Sequence, residues 1–245
     1  MPTVAVLADP PVPGDVLPAL SGSVLGPEDA AQLYRAMLTD VCSAIQDAGA
    51  AVLLNHPPAD RVAVDDPAGH LRERLADLLP APGEVRYEVQ VGESRAARVG
   101  NTVTHLLETE GVDSAAVLAP TAPFVSREQL GSAAMKLRSS PVVLGPASGG
   151  RVYYAGFTEP VDFADSFEPP ALATLTDRGV DAGHAVDFVE ALPVVETERD
   201  LAGAVARLRA LERADRNRPA AMAAAVADLG LAVGPDGTGG LALQT

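Results

Sequence analysis

The sequence contains few of the residues that support several common classes of protein. Its 245 residues include one cysteine, Cys42, which cannot form an internal disulfide and does not indicate a zinc or iron–sulfur cluster. No stretch reaches the roughly 18 apolar residues that a membrane span needs. The start of the chain lacks the basic segment and apolar run of a secretory signal. We therefore expect a cytoplasmic protein without a membrane span.

Basic residues are also scarce, and lysine is nearly absent. Asp and Glu total 33 against 18 Lys and Arg, which gives a formal net charge of −15. Such an excess of acid disfavours binding to nucleic-acid phosphates. Of the basic residues, 17 are Arg and only Lys136 is Lys, while Asp outnumbers Glu by 19 to 14.

This composition resembles that of proteins from salt-loving archaea, whose cytoplasmic salt screens the repulsion between surface charges. A GC-rich genome, which favours Arg over Lys codons, is the alternative explanation for the arginines. The halophilic hypothesis predicts that stability rises between low and molar KCl.

Hydrophobic residues make up 47% of the chain and alternate between two periodicities. Short apolar runs predict buried strands, and apolar residues spaced three and four apart predict amphipathic helices. The predicted strands cover residues 3–8, 51–54, 85–91, 114–119, 142–144, 151–157 and 185–192. The predicted helices cover residues 27–49, 67–79, 94–110, 126–138, 169–178, 197–215 and 219–229.

The alternation of strands and helices with short connections over the first 145 residues predicts an α/β fold. We expect a single Rossmann-like domain with a mostly parallel sheet and helices on both faces. This domain is predicted to span residues 1–229, followed by a Gly-rich tail over 230–245 that is expected to fray from Gly234 onward. In such open sheets, ligands bind beyond the carboxyl ends of the strands. Function is therefore expected in the loops after Ala8, Asn55, Val91, Ala119 and Gly145.

Five segments occur in the order found in one known protein family. They include the opening Val4-Ala-Val-Leu-Ala-Asp-Pro-Pro-Val-Pro-Gly14, the segment Ala116-Val-Leu-Ala-Pro-Thr-Ala-Pro123 and the late Val195-Glu-Thr-Glu-Arg-Asp-Leu201. Together with segments 31–40 and 142–157, they resemble a family of uncharacterised glycosyltransferases with the glycosyltransferase-A fold. That family is similar to the molybdenum-cofactor and phospholactate guanylyltransferases, and the resemblance covers about residues 3–212.

The resemblance implies a three-layer domain that binds a nucleotide or nucleotide-sugar. In the family, basic and backbone N–H groups hold the phosphates, and a divalent cation such as Mg²⁺ or Mn²⁺ is held by Asp. The metal ligand implied in this chain is Glu196, and no catalytic residue is assigned. The implied nucleotide- or cofactor-binding residues are Asp9, Pro11, Gly14, Thr121, Gly149 and Gly150.

The chain departs from the family in charge at several of these positions. Asp9 and Asp15 replace a Lys and an Arg of the family, while Leu17 and Ala19 replace a second pair of cations. A unit charge pair at about 4 Å is worth on the order of 4 kcal/mol at an effective dielectric near 20, so these reversals oppose phosphate binding. At the metal loop, Thr121 replaces the family's Asp, and a neutral hydroxyl is a poor Mg²⁺ ligand by itself.

Two functional hypotheses remain. The first is a transferase of the nucleotide-sugar or nucleotidyl type, with a metal on Glu196 assisted by Asp9 or Asp15. The second is a catalytically inactive binding or scaffold protein with the same fold, which binds a ligand or a partner chain without turnover. The oligomeric state is left open.

Each candidate residue also has a structural explanation. Glu196 and Thr197 could simply begin the following helix. Asp9 and Asp15 could be solvated loop acids, and the Pro10–Gly14 loop could be either a rigid turn or a wrap around a base. A plain hairpin turn would account for Gly149 and Gly150 without any ligand.

Overall fold

A seven-stranded sheet forms the centre of the computed structural model, which describes residues 2–237 and 240–244. The strands are β1 (Thr3–Leu7), β2 (Ala51–His56), β3 (Arg86–Val89), β4 (Ala115–Leu118), β5 (Val142–Pro146), β6 (Val152–Phe157) and β7 (Val186–Phe188). Their spatial order is β3-β2-β1-β4-β6-β5-β7. All neighbouring pairs are parallel except those made by β6, which runs antiparallel to both β4 and β5.

Helices cover both faces of this sheet. They are α1 (Pro27–Asp47), α2 (Pro67–Leu75), α3 (Arg95–Thr104), α4 (Arg127–Lys136), α5 (Ala171–Asp181), α6 (Glu198–Arg213) and α7 (Ala220–Asp228). No helix in the described part of the chain has both the length and the apolar character needed to cross a bilayer.

Strand alternation divides the core into two layers. In β1, Val4 and Val6 belong to the larger core with α1, α2, α4, α6 and α7, whereas Ala5 belongs to the smaller core with α3 and α5. This separation follows because successive side chains of a strand point to opposite faces of the sheet. The predicted α/β class and the mostly parallel sheet with helices on both faces are therefore confirmed.

Local sequence signals set several helix starts. Pro27 lies at the first turn of α1, followed by the acidic Glu28 and Asp29, as the helix dipole favours. The Ser94 hydroxyl accepts a hydrogen bond from the N–H of Ala97 at the start of α3. These are the positions at which the sequence predicted helix starts.

The end of the chain corrects one prediction. Residues 234–245 were expected to fray, and 185–192 was expected to contain the last strand. Instead, β8 (Ala232–Pro235) and β9 (Leu241–Gln244) form an antiparallel hairpin, in which Val233 and Leu243 pack against the larger core. The hairpin lies on α6, and this apolar contact explains its order. Residues 238, 239 and 245 lie outside the described part of the chain.

The strand order places a topological switch point between β1 and β4. From β1 the chain continues to β2 and β3 on one side, and then crosses to β4 on the other side. The carboxyl ends of the six parallel strands lie at one edge, where the antiparallel β6 begins. The loops after β1 and β4 therefore flank the crevice where ligands bind in open α/β sheets.

Candidate functional site

Asp9 lies in the loop directly after β1, at the switch point. Its backbone N–H donates a hydrogen bond to the Tyr34 hydroxyl at 3.0 Å, which ties this loop to α1. The Asp9 side chain is exposed to solvent, yet protein surrounds it on enough sides that desolvation raises its pKa. The positive charges of Arg98 and Arg95 partly oppose that rise. Asp9 thus lies at the switch point, partly shielded from solvent by the protein and close to two cations.

The two arginines come from the first turns of α3, which begins at the same edge after β3. The guanidinium of Arg98 donates to the carbonyl oxygen of Glu93 at 3.2 Å, but its buried Nε has no hydrogen-bond partner. The guanidinium of Arg95 lies 5.8 Å from the centre of the Phe167 ring. Because the start of a helix also carries positive partial charge, this corner attracts anions.

We refer to Asp9, Arg95 and Arg98 as the first-loop cluster. The sequence interpretation identified Asp9 and missed both arginines. The sequence did contain a signal for them, because both arginines lie in the first turns of a predicted helix that follows a predicted strand. They supply positive charge from α3 rather than from the loop after β1, where the family resemblance had placed it.

The remaining predicted residues of the first loop have structural explanations. Pro11 is buried, and Gly14 adopts a φ of +90°, which favours glycine. The Asp15 carboxylate is exposed and accepts a hydrogen bond from the N–H of Ala63 at 3.4 Å. The charge of Asp15 contributes to the raised pKa of Asp9, so the two acids lie close together.

Thr121 and Glu196, predicted from two distant segments, are in direct contact. The buried Thr121 hydroxyl donates to Glu196 Oε1 at 3.2 Å, and the N–H of Val195 donates to the Thr121 carbonyl at 2.8 Å. The loop after β4 and the segment before α6 are therefore joined at the carboxyl edge.

Arg151 completes this second group of residues. Its Nη1 donates to Glu196 Oε2 at 3.0 Å and to Asp200 Oδ2 at 2.9 Å. Its Nη2 donates to Asp200 Oδ1 at 2.7 Å and to the Ser148 hydroxyl at 2.8 Å, while Nε donates to the Ser148 carbonyl at 2.9 Å. We call Thr121, Ser148, Arg151, Glu196 and Asp200 the Arg151 cluster.

The β5–β6 hairpin positions Arg151. Gly149 and Gly150 both have a φ near +70° in its turn, a conformation that glycine adopts without strain. The N–H of Ala147 donates to the Arg151 carbonyl at 2.8 Å and closes the turn. The two predicted glycines thus have a structural role in presenting Arg151. The sequence interpretation noted neither Arg151 nor Asp200 as functional.

Electrostatics stabilises the charged forms in the Arg151 cluster. Burial would raise the pKa of Asp200, whose side chain is 9% exposed, but hydrogen bonds from Arg151 and Thr197 hold that pKa below its ordinary value. The hydrogen bonds to Asp200 and Glu196 in turn raise the pKa of Arg151, despite its partial burial. Because one guanidinium faces two carboxylates, the cluster keeps one net negative charge.

These residues fit a divalent cation poorly. Mg²⁺ and Mn²⁺ prefer carboxylate, carbonyl and water oxygens around a near-octahedral position. Both oxygens of Glu196 are engaged, by Thr121 and by Arg151. Within the described residues, no group of three His, Cys, Asp or Glu side chains could hold an ion. The expected metal ligand Glu196 is therefore an ion-pair partner of Arg151 in this structure.

The two clusters are not directly connected. Among the described residues, no hydrogen bond or ion pair joins Asp9 to Thr121 or Glu196. The predicted site residues therefore form two groups at one edge of the sheet rather than a single centre.

Two large grooves are lined by no residue of either cluster: one runs along α6 and α7, and the other is bordered by α1, the start of α4 and the segment before α7. Their volumes are about 890 and about 1280 Å³. The walls of the larger groove contain both Arg207 and Arg218 and both Asp40 and Asp215. Mixed charge of this kind does not favour one class of ligand, so the carboxyl edge remains the candidate site.

Comparisons with known proteins agree with this architecture. No protein-family model and no curated protein sequence matches the chain. In structure, it is similar to a protein from Desulfovibrio desulfuricans G20 described as a nucleotide-diphospho-sugar transferase. The TM-score is 0.74 at 20% identity, covering 94% of this chain and 95% of the other.

Two further proteins are also similar in structure. One is a Methanothermobacter nucleotidyl transferase, with a TM-score of 0.55, 17% identity and coverage of 88% of this chain and 99% of the other. The second is the 4-diphosphocytidyl-2C-methyl-D-erythritol synthase of Anaerococcus prevotii DSM 20548, with a TM-score of 0.53, 13% identity and coverage of 85% and 96%. The chain therefore has the fold shared by nucleotide-diphospho-sugar transferases and nucleotidyltransferases.

Proposed function

We propose that the protein binds a nucleotide or nucleotide-sugar at the crevice between the loops after β1 and β4, as a transferase of the nucleotidyl or glycosyl type. The observation that carries this proposal is the pair of arginines at the start of α3, whose charges act on Asp9 at the switch point and whose guanidinium groups form no side-chain ion pair among the described residues. Guanidinium groups bind phosphates through charge-assisted hydrogen bonds. The similarity in fold to nucleotide-handling proteins supports the same ligand class.

In this arrangement, Arg95 and Arg98 bind the phosphates and the start of α3 adds positive partial charge. The Asp9 carboxylate repels the phosphates, but the charges of Arg95 and Arg98 beside it offset part of that repulsion.

Titration calorimetry with CTP, GTP and UDP-sugars in molar KCl tests this proposal. The Arg98→Met variant should lose about tenfold or more in nucleotide affinity, because a charged hydrogen bond to phosphate is lost. Arg213→Met is the matched control, since it removes the same charge from the exposed far end of α6. Failure of every nucleotide to bind the wild type would refute the proposal.

A catalytically inactive binding protein is the second candidate. The observation that favours it is the Arg151 cluster, where hydrogen bonds within the protein engage the groups near the acceptor side. Assays for release of pyrophosphate or nucleoside diphosphate, with sugar phosphates or sugars as acceptors, separate the two candidates. Nucleotide binding without any turnover would support the inactive protein.

A further inference from the structure

The hydrogen bonds of Arg151 account for its full donor capacity. A guanidinium has five N–H groups and cannot be deprotonated in proteins. All five are used here, on Glu196, on both oxygens of Asp200, and on the hydroxyl and carbonyl of Ser148. Arg151 therefore has no donor left for a ligand, and it crosslinks the β5–β6 turn to the start of α6.

The same hydrogen bonds occupy the carboxylates. One oxygen of Glu196 accepts a hydrogen bond from Arg151 and the other accepts one from Thr121. Both oxygens of Asp200 accept hydrogen bonds from Arg151. Asp200 Oδ2 also accepts from the N–H and the hydroxyl of Thr197 within the capping box of α6. A cation that bridges the Glu196 and Asp200 carboxylates would have to displace a guanidinium held by five hydrogen bonds.

We infer that the Arg151 guanidinium permanently occupies the position between the Glu196 and Asp200 carboxylates that a divalent cation would require, so that the carboxyl edge works without a metal there. The first part of this inference, the occupation of the cation position by Arg151, concerns only residues of this chain. The second part, nucleotide binding without a metal, rests on the proposed function.

The charge balance of the cluster supports this assignment. Without Arg151, two carboxylates would face each other beside a neutral hydroxyl, at a place where Asp200 is 9% exposed. Like charges in such a position repel unless a cation lies between them. Arg151 supplies that cation from within the chain, and its fixed planar fork matches both carboxylates at once.

Direct titration with Mn²⁺, followed by electron paramagnetic resonance in molar KCl, tests the first part. Wild-type protein should show only weak binding, unchanged in Glu196→Gln. Arg151→Met should bind Mn²⁺ about tenfold or more tightly than wild type, because its carboxylates become available. The double variant Arg151→Met with Glu196→Gln should lose that gain.

The matched control is Arg178→Met, which removes an arginine paired with Asp162 at 2.7 Å on another part of the surface. It changes the net charge equally and should leave Mn²⁺ binding at the wild-type level. Arg151→Lys provides a second variant, in case Arg151→Met does not fold. Lysine keeps the charge, so Mn²⁺ binding should stay weak.

Three results would overturn the inference: tight Mn²⁺ binding by wild type that Glu196→Gln abolishes, a folded Arg151→Met without any gain, or an equal gain in Arg178→Met.

For the second part, the nucleotide affinity of wild type should be the same with EDTA and with Mg²⁺. A requirement for Mg²⁺ would refute metal independence. Absence of all nucleotide binding would instead refute the proposed function, while the Mn²⁺ titration would still decide the first part.

Discussion

The first-loop cluster and the Arg151 cluster lie at the same edge of one sheet, but their arginines differ in how many of their N–H groups donate hydrogen bonds to the protein. Arg98 keeps a buried Nε without a partner, and neither Arg95 nor Arg98 forms a side-chain ion pair among the described residues. Arg151 has every donor engaged by its own chain. An arginine with free donors can bind an anion, whereas a saturated one stabilises the fold.

The carboxylates show the same contrast. Desolvation raises the pKa of Asp9, and its cations offset only part of that rise. Asp200 is also desolvated, but hydrogen bonds from Arg151 and Thr197 hold its pKa below the ordinary value. A nearby cation alone therefore does not lower the pKa of a desolvated carboxyl group. Direct hydrogen bonds to the ionised carboxylate lower it.

The largest expected effect comes from breaking the Arg151 cluster. Arg151→Met should lower the free energy of unfolding by about 2 to 3 kcal/mol, because it leaves the nearly buried Asp200 without a cation. Arg178→Met, at an exposed pair with Asp162, should cost about 0.5 kcal/mol. Denaturant unfolding in molar KCl measures both. Equal losses for the two variants would contradict the distinction between the clusters.

Salt should act on the whole chain and separate the clusters further. Since the net charge is −15, raising KCl from low to molar concentration should increase the melting temperature by about 5 °C, which for a chain of this size corresponds to roughly 2 kcal/mol. The loss of unfolding free energy in Arg151→Met relative to wild type should change little with salt, because ions screen a partly buried charge pair less than an exposed one. A melting temperature that is constant across this range would remove the halophilic hypothesis.

The smallest expected effects are pH dependences of opposite sign. Asp9 has a raised pKa in the folded protein, so its contribution to stability is present below its ordinary value of 3.8 and is lost as the pH rises through the folded pKa. Asp200 has a lowered pKa, so its contribution is present above 3.8 and is lost as the pH falls through the folded pKa.

Unfolding of wild type, Asp9→Asn and Asp200→Asn between about pH 3 and pH 7 measures these two dependences. Asp9→Asn should gain stability relative to wild type as the pH rises, and Asp200→Asn should lose it. Parallel profiles would show that the carboxylates do not differ in the way that their hydrogen bonds indicate.

Much of the fold could be predicted because it depends on local patterns. Within the described residues, apolar periodicity and capping residues indicated every strand of the large sheet and all seven α-helices, with ends shifted by a few residues. The direction of β6 was less accessible, because its antiparallel course depends on the Gly149–Gly150 turn joining it to β5. The C-terminal hairpin was missed because its order comes from packing on α6 rather than from its own Gly-rich sequence.

The candidate site was only partly predictable. The rule that ligands lie beyond the strand ends indicated loops that contribute residues to both clusters, and the resemblance indicated both Thr121 and Glu196, which are in contact. Arg151 and Asp200 are 49 residues apart, and nothing local marks them as partners. Asp200 looked like an ordinary residue of a helix start, a role that it also fills in the capping box.

The sequence alone determined the α/β class, the order of helices and strands and the net charge of −15, because each follows from composition or short-range periodicity. Only the tertiary structure decided which arginine is saturated and which keeps a free donor. That distinction arises where separate loops meet, since a hydrogen bond depends on distances between atoms that are remote in the chain.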